Sequence, residues 1–159
     1  MNKRSDSKRG RGKPTEHWTQ LIRNTMETPA WKALSPVAQA LYPWLKLEWR
    51  GGDYNNNGKI SLSVRQAAKR LGVTPNTAAK AFQDLQQKGF IVVTEPAHLG
   101  IEGKAKCPNY ELTELAIPNS EKAEGRKLYK EWRPDHGFPV VKATVNNPSG
   151  TNGKTKPHH

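Results

Sequence analysis

A chain of 159 residues with 26 Lys and Arg against 14 Asp and Glu carries a formal charge of +12, has one cysteine, and is only 34% hydrophobic. This fits one compact domain with extended ends. The single thiol, Cys107, excludes an internal disulfide and a cysteine zinc knuckle, so apolar burial must hold the fold. No apolar run approaches the ~18 residues of a membrane span, and none follows the basic N-terminus as a signal peptide requires, so the expected location is cytoplasmic. The charge itself points to a polyanion, most often nucleic acid.

The charge is unevenly spread. Lys3, Arg4, Lys8, Arg9, Arg11 and Lys13 stand against Asp6 alone in the first thirteen residues. Residues 1–14 therefore read as a basic disordered arm, suited to solubilising the chain or to gripping phosphates. Inside the domain expected over 15–117, no acid occurs between Asp53 and Asp84, whereas Lys59, Arg65, Lys69, Arg70 and Lys80 all fall there.

In chain order, Trp18, Leu21, Ile22 and Met26 recur at helical spacing and predict a first helix over Glu16 to Met26, ended by Pro29. Ser35 and Pro36 form an N-cap and N1 pair for a second, aromatic-rich helix with Val37, Leu41, Trp44 and Leu45 on one stripe; Pro43 inside it should remove one hydrogen bond and kink it. The spacing places Trp18 and Trp44 in the core. The Asn-rich stretch from Gly51 to Gly58 reads as a surface loop, and Lys59 to Leu62 as a short strand. Ser63 through Gln66 reads as a capping box opening a short helix that buries Ala67, Ala68 and Leu71. Gly72 supplies a left-handed stop, and Thr74 with Pro75 the next cap. Two helices joined by about three residues must cross steeply, which is helix-turn-helix geometry.

The second of these runs to about Lys88, with Ala78, Phe82 and Leu85 inward and Gly89 stopping it. Phe90 to Thr94 is of strand type, and Tyr110 and Leu112 resume the alternation after a Gly- and Lys-rich tip, predicting a hairpin. Ser120 can cap a last helix within 118–133, on which Leu128 and Trp132 sit four apart. Residues 134–159 are expected to be a disordered tail. The expected fold is thus mainly α with a small antiparallel β-hairpin.

At this point the chain resembles a known family. Leu62, Ser63, Arg65, Gln66, Ala67, Ala68, Lys69, Arg70, Leu71, Gly72, Val73, Thr74, Pro75, Asn76 and Thr77, on through Leu85, Gly89, Phe90 and Ile91, resemble the winged helix-turn-helix DNA-binding domain of GntR-type regulators. The likeness lies within residues 59–113 and implies that Arg65 touches DNA, as the arginine of the first motif helix does in that family. Where the family usually carries two further arginines, this chain has Pro75 and Ala79, and the roughly forty residues after the wing are too few and too polar for the effector domain the resemblance implies. No small-molecule effector is therefore expected. Many winged modules share this skeleton, plasmid and phage replication initiators among them.

Independently of the resemblance, Asn76, Lys80, Gln83 and Gln87 share one stripe of the second motif helix, with Thr77 beside it, opposite the apolar face. Asn and Gln can bond adenine in two places, and Lys can reach guanine or phosphate. Thr74 sits at the start of that helix; Lys69 and Arg70 can anchor phosphates from the preceding one, and Lys104 and Lys106 from the hairpin tip. The expected partner is double-stranded DNA. Trp49 and Trp132, beside Arg50 and Arg133, could instead face a partner, so a homodimer contact through the second or last helix is also expected.

No enzyme is expected: the five histidines are scattered, no carboxylate pair is placed for acid and base work, and Gly153, Lys154 and Thr155 lack the glycine and strand of a phosphate loop. Neither a metal nor a cofactor is implied. Three functions fit these features: a small sequence-specific regulator acting by occupancy, a replication initiator or accessory factor of a mobile element, or a winged-helix protein interaction module.

Overall fold

Three Ser/Thr-Pro pairs set the helical framework of this protein, whose computed structural model describes residues 16–99 and 105–142. Thr28, Ser35 and Thr74 each accept a hydrogen bond from the backbone N–H three residues on, and the following proline fills N1, where its missing donor costs nothing. In chain order the elements are α1 (Arg23–Met26), α2 (Pro29–Ala33), α3 (Pro36–Leu47), β1 (Ile60–Ser61), α4 (Val64–Leu71), α5 (Pro75–Gln87), β2 (Ile91–Glu95), β3 (His98–Leu99), β4 (Ala105–Lys106), β5 (Asn109–Leu112) and a 3₁₀ turn at Leu128–Lys130. Helix α3 runs on through Pro43.

The fold is mixed rather than mainly helical with a hairpin. Strands β2 and β5 pair antiparallel, Ile91 opposite Leu112 and Val93 opposite Tyr110. Strand β1 then joins the free edge of β5, giving a three-stranded sheet in the order β1-β5-β2. The reason is Ile60, opposite Tyr110 in the ladder and fully buried, so the short strand gains a core residue as well as two partners. Strands β3 and β4 form a separate small ladder toward the tip.

Helix α5 packs against α3 and α4, and the sheet closes the other side. Leu41, Leu45, Leu62, Ala78, Phe82 and Leu85 are all buried between them, each large aliphatic side chain contributing ~1.5–3 kcal/mol. An aromatic cluster extends this core. Phe90 stands edge-on to Trp31 at 5.6 Å and to Tyr42 at 5.5 Å, and stacks on Tyr129 at 4.7 Å.

Three sequence expectations fail at the flanks. The first helix shrinks to Arg23–Met26, with no side-chain cap at Ile22, because its apolar residues have no core to face: Trp18 is 64% exposed and Leu21, Ile22 and Met26 are exposed too. Trp18 and Ile22 instead border a cleft of about 450 Å³ with Trp49 and Arg50. The helix expected within 118–133 is irregular except for Leu128–Lys130. A Cβ on Gly125 would collide with the Thr113 carbonyl oxygen, and Lys127 has φ 48°; a regular helix allows neither that approach nor that backbone. Of residues 134–142, expected to be disordered, Phe138 and Val141 hydrogen-bond to the end of α5. Residues 1–15, which include the basic arm, and 143–159 of the tail lie outside the described residues.

Gly89 ends α5 in a Schellman arrangement, with its N–H on the Gln86 carbonyl at 3.0 Å and that of Phe90 on Leu85 at 3.0 Å. Its φ is +81°, and an added Cβ would meet Phe138 at 2.7 Å and the Leu128 backbone at 2.9 Å. Gly89→Ala is expected to lose ~2–3 kcal/mol, combining left-handed strain with displacement of Phe138. Thermal melting checks this; an unchanged midpoint contradicts it.

Candidate nucleic-acid interface

The capping box expected at Ser63 is present: Ser63 Oγ accepts from Gln66 N at 3.1 Å, and Gln66 Oε1 accepts from Ser63 N at 3.0 Å. Helix α4 then runs one face into the core through Ala67 and Ala68, leaving Arg65 and Lys69, four residues apart, exposed together. Gly72 takes φ 67°, and the Val73 N–H caps the Ala68 carbonyl at 3.0 Å. Three residues, 72–74, separate α4 from α5.

On α5 the inward and outward faces divide as the spacing predicted. Ala78, Ala81, Phe82 and Leu85 are buried, while Asn76, Lys80 and Gln87 are exposed and Gln83 half-buried on the opposite side. Thr74 and Thr77 are committed to the cap: Thr77 N donates to Thr74 Oγ1 at 3.3 Å, and the two hydroxyls lie 2.9 Å apart. These bonds fix the start of the helix, with Thr74 and Asn76 exposed beside each other there.

The candidate cations separate into two kinds. Arg65, Lys69 and Lys80 form no ion pair among the described residues. Arg70 does: its Nη1 donates to Glu48 Oε1 at 2.6 Å, and its guanidinium lies 5.4 Å from the centre of the Trp44 ring. Arg70 thus ties α4 to α3 and covers Trp44, which keeps that indole half-buried. Lys106 is exposed on β4, and Lys104 lies outside the described residues.

Acidic groups near the stripe are neutralised locally. Asp84 Oδ1 accepts from Lys88 Nζ at 2.5 Å, and Oδ2 from the Ser35 N–H at 2.7 Å, so the one carboxylate of α5 also fastens it to the start of α3. The outer face of α5 is left polar or cationic.

The two tryptophans expected to face a partner are half-buried and make intramolecular contacts. Trp49 donates through Nε1 to Asn55 Oδ1 at 2.9 Å, Trp132 lies under Lys88 Nζ at 5.8 Å, and both pack against the core.

Sequence reasoning missed the segment after Pro134. Phe138 N donates to the Gln87 carbonyl at 2.9 Å, capping the last turn of α5. Gln86, buried on the flank of the helix, accepts from Val141 N at 2.8 Å and donates to its carbonyl at 3.3 Å. The signal was an apolar island, Phe138, Val140 and Val141, in an otherwise polar tail.

Among the described residues no helix is long and apolar enough to cross a membrane, and no three His, Cys, Asp or Glu side chains stand together as metal ligands. Comparison with protein-family models, with curated proteins and with solved structures returns no match.

Proposed function

We propose that this protein is a winged-helix protein that binds double-stranded DNA sequence-specifically and acts by occupancy as a small transcriptional regulator. One observation carries the reading: α5 is capped, anchored by its apolar face and by Asp84, and still leaves Asn76, Lys80, Gln83 and Gln87 on one outward stripe. A helix held rigidly by one side with an amide- and lysine-bearing stripe on the other is what a major groove accepts and reads. The order α4, three-residue turn, α5, β2, tip, β5 follows the winged-helix plan, in which the hairpin reaches an adjacent groove. The charge of +12 supports a polyanionic partner.

Selection of bound sequences from random duplexes, followed by gel shifts, tests this reading. Lys80→Ala and Arg65→Ala are each expected to weaken specific binding by ~1–3 kcal/mol, with the salt dependence reduced for a phosphate contact. Full affinity in both variants overturns the assignment of surfaces. Affinity insensitive to salt, or no retention of DNA, replaces it with a protein interaction module. Tandem iterated sites beside an AT-rich segment, in place of a single promoter site, convert the regulator into an initiator.

A further inference from the structure

Three residues of the outer stripe of α5, Lys80, Gln83 and Gln87, line an open trough of about 570 Å³. Ser35 stands on one side at the start of α3, and Val140 and Lys142 stand among its lining residues from the C-terminal segment. That segment also borders the sheet, since Val141 and Lys142 line a small crevice with Val93, Pro96 and Tyr110. It therefore lies against both of the elements proposed to meet DNA, the helix and the base of the hairpin.

Its anchors spare the reading face except at Gln87, whose side chain packs beside Gly137 and whose Oε1 accepts from Lys88 Nζ at 3.2 Å. The Phe138 N–H takes a main-chain carbonyl of the last turn, and Val141 takes Gln86, which projects from the flank of α5 and is 4% exposed. Neither bond uses the side chain of Asn76, Lys80 or Gln83. A segment that masked the helix would spend those side chains; Asn76 and Lys80 remain exposed.

The chemistry of the trough favours an anion. Its single carboxylate, Asp84, has one oxygen on Lys88 and the other on the Ser35 N–H, at 2.5 and 2.7 Å. Its two ammonium groups, Lys80 and Lys142, form no ion pair among the described residues. Two cations flanking a row of side-chain amides suit a phosphodiester backbone running beside base edges.

We infer that residues 137–142 are a built-in part of the duplex-binding surface and that Lys142 contacts a backbone phosphate beside Lys80. This rests on the reading of α5 as the DNA-entering helix. Lys142 lies beyond the resemblance to other winged domains, so the strap adds a contact outside the helix-turn-helix and hairpin.

The test uses the full chain and a labelled mixed-sequence duplex, with affinity followed over a salt series. Lys142→Ala is expected to weaken binding about 5- to 10-fold and to lower the salt slope by about one. Gln86→Leu, which unseats the strap without removing a charge, is expected to weaken binding in the same direction while the protein still melts cooperatively. Lys122→Ala, an exposed cation far along the chain from both elements, controls for net charge and keeps the slope. If Lys80→Ala lowers the slope and Lys142→Ala does not, the strap inference falls and the reading of α5 stands. Tighter binding by Gln86→Leu also overturns the inference, because the segment is then a cover. Absence of duplex binding by the unsubstituted protein defeats both.

Discussion

Lys46→Ala is expected to destabilise the fold by ~3–5 kcal/mol. Lys46 Nζ donates to Glu114 Oε1 at 2.8 Å, and the Tyr42 hydroxyl donates to Glu114 Oε2 at 2.6 Å. The lysine and glutamate side chains are only 4% and 3% exposed, so their charges are compensated by each other and hardly by water. Removing the ammonium leaves a buried carboxylate with a single neutral donor, and the cost of that stranded charge exceeds any gain from the smaller side chain. Replacing the whole group, as Tyr42→Phe with Lys46→Met and Glu114→Leu, should recover most of the loss because no polar atom is then stranded. Chemical denaturation of the single and triple variants measures both. A loss below ~1 kcal/mol for Lys46→Ala would falsify the account of the pair as desolvated.

The same group gives the protein an alkaline limit. Burial, then the charge of Glu114 and the hydrogen bond to it, push the Tyr42 phenol well above its ordinary value of 10.0. Burial also raises Tyr110, with a smaller push from Cys107, and Tyr129, where a hydrogen bond with Thr25 opposes it. A raised acid holds its proton in the folded chain after the unfolded chain has released it. The stabilisation is therefore fully present below pH 10 and is lost as pH climbs toward the folded values. Stability should begin to fall above that pH, and Tyr42→Phe should make the fall shallower.

What was legible before the structure was whatever local chemistry decides alone. Ser63 with Gln66, Thr74 with Pro75, and Gly72 and Gly89 each fix a helix end within a few residues, so α4, α5 and the turn between them stand where their caps put them. The stripe of Asn76, Lys80 and Gln83 followed from the opposite face being apolar. The flanks were illegible because helical spacing is only a promise of burial, and Trp18, Leu21 and Ile22 have nothing to be buried against. Thr28 and Pro29 carry the same cap signature as the other two pairs, yet Pro29, expected to end the first helix, begins α2. Trp31, buried by α3 and Phe90, depended on contacts across the chain that no short window contains. Arg70 illustrates the converse: its charge was visible and its partner, Glu48, was not, since 22 residues separate them.

Asn57→Ala should cost ~3 kcal/mol, although Asn57 lies in a loop that composition alone marks as solvent-facing. Its side chain is 2% exposed and acts as a length of main chain. Oδ1 accepts from the Leu112 N–H at 2.7 Å, and Nδ2 donates to the Leu112 carbonyl at 2.9 Å and to that of Leu115 at 2.9 Å. A carboxamide that pairs with both backbone groups of Leu112 reproduces the exchange a further β1 residue would make, and so carries the ladder past the Ile60 and Tyr110 pair. Gln86 does the same for Val141 at the other side of the molecule. Alanine at 57 strands a buried N–H and at least one buried carbonyl, each worth ~1–3 kcal/mol. Asn57→Asp should do little better, because a carboxylate keeps the acceptor, loses the donor, and buries a charge. Hydrogen exchange at the Leu112 amide reports the loss directly, and protection equal to that of the unsubstituted chain would show that a strand or water can take over the role. Because Asn57 supports the sheet and not the outer stripe of α5, duplex binding measured where the variant is still folded should be unchanged. That separates damage to the scaffold from damage to the surface it presents.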